Sequence, residues 1–144
     1  MKLPHLLLLN FALATYLTGL IWTVQLVHYP GFAYVAPEKF GAFHQHHTRT
    51  MSWVVLAPMV LELGLAGWLA GAAPELGSAR WWQLALVVLI WASTFFISVP
   101  FHNRLGAEGY DYVAIDGLVR TNWLRTVAWT MRSSLLGWLL WKIL

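Results

Sequence analysis

The sequence predicts an all-α fold, a four-helix transmembrane bundle with up-down-up-down topology and a single integral membrane domain. Three observations predict it. Of 144 residues, 59% are hydrophobic and only 10% are charged, whereas a soluble domain carries about 25% charged residues. So few charges would not cover a soluble surface of this size. The apolar residues fall into four long blocks, each near the ~20 residues that a membrane-crossing helix needs. The connections are short, which makes consecutive helices antiparallel neighbours.

The first span covers 6–28 and is broken only by neutral polar groups such as Asn10, Thr18 and Gln25. Lys2 and the Ala-Leu-Ala at 12–14 imitate a signal peptide weakly, but the apolar run continues past them, so the block is read as a helix. The second span, 51–73, carries one charge, Glu62, and a helical extension over 38–50 leads into it. The stretch 71–79, with Gly, Pro and Ser, is an ordinary turn. The third span, 81–101, has no charge. The fourth, 122–144, contains Arg125, Arg132 and Lys142. Many of the 10 tryptophans sit near span ends (Trp22, Trp53, Trp81, Trp82, Trp123, Trp138, Trp141) and read as interfacial belts.

Charge and cysteine content exclude several classes. The net charge of +3 on so little soluble surface suggests no nucleic-acid partner and fits anchoring at the lipid bilayer. Cysteine is absent, which removes disulfides, iron–sulfur clusters, thiolate metal sites and a cysteine nucleophile. In a multi-pass protein of four spans, the loops after spans one and three share one face. Lys39, Arg49, Arg104, Arg120 and Arg125 cluster there, so the positive-inside rule leans toward a cytoplasmic location for it.

Span parity also gathers the histidines. His28 ends span one, His44, His46 and His47 precede span two, and His102 ends span three, whereas His5 belongs to the opposite face. Helical phase sharpens the grouping. Taking His44 as origin, His47 falls at about 300°, Met51 at about 340° and Glu62 at about 0°, while His46 points away at about 200°. Similar stripes hold Asn10, Ile21, Gln25 and His28 on span one, Trp91, Phe95, Ser98 and His102 on span three, and Asn122, Arg125, Trp129 and Ser133 on span four. Neutral imidazole suits zinc, copper, iron and nickel. His44 and His47 with His28 or His102 would make a three-ligand site with an open position, as catalytic sites have. Met51 would add a soft ligand for copper, and Glu38 is the nearest carboxylate. The same residues also fit axial haem ligation, or a solvated interfacial loop with no metal.

Glu62 and Arg132 form a second clue. Glu62 lies 11 residues past Met51 and Arg132 11 residues past Thr121, on spans that start from the same face, so at ~1.5 Å per residue both sit ~16 Å deep. Unpaired charges there are costly. They read either as a buried ion pair fixing bundle register or as a substrate or proton site.

The segment Ser98-Val99-Pro100-Phe101-His102-Asn103-Arg104-Leu105, the Asn122-Trp123-Leu124-Arg125 start of span four, its Trp129…Arg132-Ser133…Gly137 and the Tyr29-Pro30 step together resemble the small anthrone oxygenase-like membrane proteins. The resemblance covers most of the chain by hydropathy but few residues by identity. It implies an oxygenase of hydrophobic aromatic substrates, with Asn103, Arg132 and Trp129 as site candidates. The His-rich segment 43–49 departs from that pattern and leaves the anthrone substrate open.

The leading expectation is a membrane-embedded oxidoreductase, of monooxygenase type, acting on a hydrophobic small molecule at a metal site of copper or iron on His28, His44, His47 and His102. Glu62, Arg125, Asn122 and Arg132 are the candidate catalytic groups: Arg125 and Asn122 to orient a polar or anionic substrate group, Glu62 to relay protons. Asn103, Trp129 and Gln25 are candidate substrate contacts. A small b-type haem electron-transfer protein and a non-catalytic ion- or metabolite-binding or transport subunit are the alternatives. A homo-oligomer is compatible with all three.

Overall fold

Four long helices pack side by side in the computed structural model, which describes residues 2–144. They are α1 (Leu3–Tyr34), α2 (Pro37–Ala72), α3 (Ala79–Glu108) and α4 (Tyr112–Ile143). There is no strand among the described residues. The first three are long and apolar enough to cross a membrane. At ~1.5 Å per residue, α2 with its 36 residues runs ~54 Å, well beyond a hydrocarbon core of ~30 Å. The helices therefore overshoot the span boundaries read from hydropathy. α4 has 32 residues but is interrupted by Asp116, Arg120, Arg125, Arg132 and Lys142, which lowers its apolarity below that of the other three.

The helix ends follow local chemistry. Prolines open α1 and α2 within their first two positions, where the missing N–H would be unpaired in any case. Gly109 ends α3 at φ +81°, a conformation open to glycine without a Cβ penalty, and its N–H closes on Leu105 O at 3.1 Å. Asp111 caps α4: its Oδ1 accepts from the Val113 and Ala114 amides at 2.9 and 3.3 Å, and its Oδ2 meets Arg104 Nη2 at 2.6 Å. Asp111→Ala is expected to cost about 1 kcal/mol, read as a lower melting temperature in detergent. Asp116→Ala removes only a surface pair with exposed Arg120 and is expected to change nothing measurable.

Two helices carry a single widened turn with i→i+5 bonding, Val24–His28 in α1 and Thr94–Ser98 in α3. Each ends two residues before a proline, Pro30 or Pro100. A proline inside a helix removes one backbone bond and crowds the carbonyl four residues earlier. A widened turn before it relieves that crowding without breaking the helix. It also changes which residues face inward. Tyr29 becomes buried. Phe95 corrects the stripe read from the sequence, since it is 54% exposed rather than aligned with Ser98 and His102.

The interior has three levels. A cluster including Leu17, Ile21, Phe32, Phe40, Leu105 and Leu118 fills the histidine end. A second cluster including Leu7, Leu69, Leu136 and Leu139 fills the other end. Between them lies a polar level of Asn10, Glu62, Gln83 and Arg132, one residue from each helix, all without exposed surface.

Candidate functional site

A cavity of about 330 Å³ opens inside the histidine end of the bundle, and all four helices line it. Its lower wall is apolar, with Leu17, Ile21, Val55 and Met59, and Trp129 stands at its base. Its upper wall is polar, with Tyr29, His47, His102 and Arg125. Exposed Ser52, Val99 and Asn103 border it and place its mouth in the seam between α2 and α3. A second hollow continues along the same seam past His44, and His102 and Asn103 border both.

The four candidate histidines meet at this end. His28 Nε2 and His47 Nδ1 share a hydrogen bond of 2.6 Å, and His44 Nε2 and His102 Nδ1 one of 3.0 Å. Each contact needs one N–H and one lone pair. The His47 and His102 rings stack at 5.5 Å between centroids, which joins the two pairs. Phe32, fully buried, stands edge-on to all four rings. His46 and His5 are exposed, and so is Glu38. Glu38 therefore joins no ligand set with the histidines.

Among the described residues, no three histidine or acidic side chains converge on one point as metal ligands. The pairwise geometry nevertheless suits a metal. With metal–nitrogen bonds of about 2.0–2.1 Å, two neighbouring ligand nitrogens lie about 2.9–3.3 Å apart; the 3.0 Å His44–His102 contact falls in that range and the 2.6 Å His28–His47 contact is shorter. Imidazole nitrogen is a donor type that copper, iron and zinc all accept.

A hydrogen-bonded chain runs from the histidines into α4. Tyr29 Oη contacts His102 Nε2 at 3.0 Å and accepts from Arg125 Nη2 at 3.2 Å. Arg125 also donates to Asn122 Oδ1. Asn122 donates to Gln25 Oε1 at 2.8 Å, and Gln25 donates to Val119 O at 3.0 Å. Gln25 and Asn122 thus sit behind Arg125 and hold it, outside the cavity wall. Tyr29 was not singled out as a site residue from the sequence. The Tyr-Pro step marks it only once the widened turn beneath it is known.

Glu62 and Arg132 occupy the level below. Arg132 Nη1 pairs with Glu62 Oε1, Nη2 donates to Asn10 Oδ1 at 2.8 Å, and Nε donates to Gln83 O at 3.2 Å. Trp129 donates from Nε1 to the second Glu62 oxygen at 3.1 Å. The indole stands between this network and the cavity, so the structure brings Glu62 and Arg132 to each other and not to the histidines. Gln83 carries no signal of this role in the sequence, since a lone amide in an apolar block does not reveal its partner.

No protein-family model, no curated protein and no solved structure matches the chain.

Proposed function

We propose that this chain crosses the membrane four times and works as a membrane-embedded oxidoreductase of oxygenase type, with a copper or iron ion on the histidine cluster and a hydrophobic small molecule in the adjoining cavity. One observation carries the reading: four imidazoles from three helices form a connected cluster, and two of them, His47 and His102, line the polar side of a cavity whose other side is apolar. A bound metal would supply Lewis-acid and one-electron chemistry. The chain itself supplies the rest. Phe32 fixes the ring positions, Tyr29 contacts His102 and accepts a hydrogen bond from Arg125, and the apolar wall excludes water. The lateral mouth admits molecules that partition from the bilayer.

α4 crosses with the others because its two mid-helix arginines are buried inside the bundle rather than facing lipid. Lys39, Arg49, Arg104 and Arg120, on the helix segments at the histidine end, support a cytoplasmic location for that end by the positive-inside rule. Asn103 and Trp129, the site candidates that the resemblance to anthrone oxygenase-like proteins implies, line the cavity together with Ser98. Arg132, which that resemblance also points to, serves the ion pair instead.

Elemental analysis of the purified protein tests the proposal. Roughly one equivalent of copper or iron per chain is expected, with no Soret band. His47→Ala and His102→Ala are expected to weaken metal binding at least about tenfold, while His46→Ala and His5→Ala retain it. Equal retention in all four variants, or protein that takes up neither copper nor iron on titration, would remove the metal from the mechanism.

A further inference from the structure

α4 holds two buried arginines seven residues apart, and they are treated differently. Arg132 has Glu62. Arg125, only 7% exposed, has no carboxylate within ion-pair distance among the described residues. Its hydrogen-bond partners, Tyr29 and Asn122, are neutral, both are served from Nη2, and its Nε is buried with no acceptor at all. A guanidinium stays charged under all ordinary conditions, and a buried charge without a counter-charge is costly in a protein interior and in a bilayer. The neighbouring imidazoles bring no negative charge. Arg125 faces the cavity, so the missing anion belongs there.

The cavity sets the rest of the ligand. At about 30 Å³ per water-sized group, 330 Å³ holds roughly a dozen heavy atoms. Below Arg125 the wall offers Leu17, Ile21, Val55, Met59 and the Trp129 ring, with no second charge. A diacyl lipid is too large, whereas a single medium-length chain fits. We infer that the cavity takes a single-chain amphiphile with an anionic head, a medium-chain carboxylate by size, its head on Arg125 and its chain on the apolar wall above Trp129. This deepens the proposal above by naming the substrate class of the same cavity.

Decanoate and decanol share a chain and differ in head charge. Full-length protein in neutral detergent, stripped of metal with EDTA, is titrated with each by calorimetry. Decanoate is expected to bind at least about tenfold more tightly, as charge-assisted hydrogen bonds imply. Arg125→Gln is expected to abolish that preference and leave decanol binding unchanged. Val55→Trp, which fills the cavity from α2, is expected to weaken both. Equal affinity of the unmodified protein for the two ligands would overturn the inference, and so would a preference that survives Arg125→Gln. If Arg125→Gln fails to fold, the unmodified protein and Val55→Trp decide alone. Decyl phosphate matching decanoate supports the anionic-amphiphile class, while displacement of decanoate by diacyl phosphatidylglycerol overturns the single-chain assignment. The metal-free conditions keep this result independent of whether the histidines hold a metal.

Discussion

Replacing Arg132 with methionine is expected to cost about 3–5 kcal/mol of stability, the usual penalty for stranding one member of a buried ion pair. Glu62 has no exposed surface, and its remaining partner is the Trp129 indole. Asn10 and Gln83 would lose their shared donor as well. In a bilayer, water defects and side-chain snorkelling relieve part of such a cost, but Glu62 at the centre of four helices has no short route to a headgroup. Thermal melting in detergent, followed by circular dichroism, measures the effect. The double variant Glu62→Leu/Arg132→Met is expected to recover much of the loss, since removing both charges leaves none unpaired. Glu62→Gln keeps the shape and most hydrogen bonds, so it is expected to lower the melting temperature while leaving turnover per folded molecule nearly intact. A collapse of turnover in a well-folded Glu62→Gln protein would make Glu62 a proton carrier. An unchanged melting temperature for Arg132→Met would show that the pair does not hold the bundle.

Phe32→Ala is expected to be the most damaging single change at the histidine end. The ring has no exposed surface and lies against His28, Tyr29, Phe40, Phe43, His44 and His47 at centroid distances of 4.9 to 6.1 Å. Truncating a buried phenylalanine costs about 3–5 kcal/mol through lost burial and the cavity left behind. Here it also removes the wedge that holds four imidazoles at fixed angles. The expected result is a lower melting temperature together with weaker copper or iron uptake, whereas Leu136→Ala, in the apolar cluster at the opposite end, lowers the melting temperature and leaves metal uptake unchanged. Equal metal uptake in the two variants would mean that Phe32 is packing alone.

The helical blocks, their antiparallel order and the inward stripe of α2 were legible in the sequence, because each rests on apolar periodicity and span parity. His44, His47 and Glu62 are all buried, as a continuous helix from Pro37 requires. The stripe on α3 was not fully legible. It assumed 100° per residue throughout, and the widened turn at Thr94–Ser98 moves Phe95 out. Such turns depend on where a proline crowds the preceding carbonyl, and hydropathy carries no trace of that. The difference between Arg125 and Arg132 was equally hidden. Both are arginines on the same inward stretch of α4, and only the neighbours across the bundle decide which has a carboxylate. Partner choice of this kind is a property of packing, not of local sequence.

The polar level of Asn10, Glu62, Gln83 and Arg132, closed below by leucines, gives the bundle a floor. The interior is therefore a blind chamber rather than a conduit, and a molecule that enters past Ser52 and Asn103 leaves by the same door. Loading and release then compete for one passage, so a bulky product held at the mouth would slow turnover without touching the chemistry beneath it. Under the proposed function, such a chamber would take up and release its ligand on the histidine side of the polar floor.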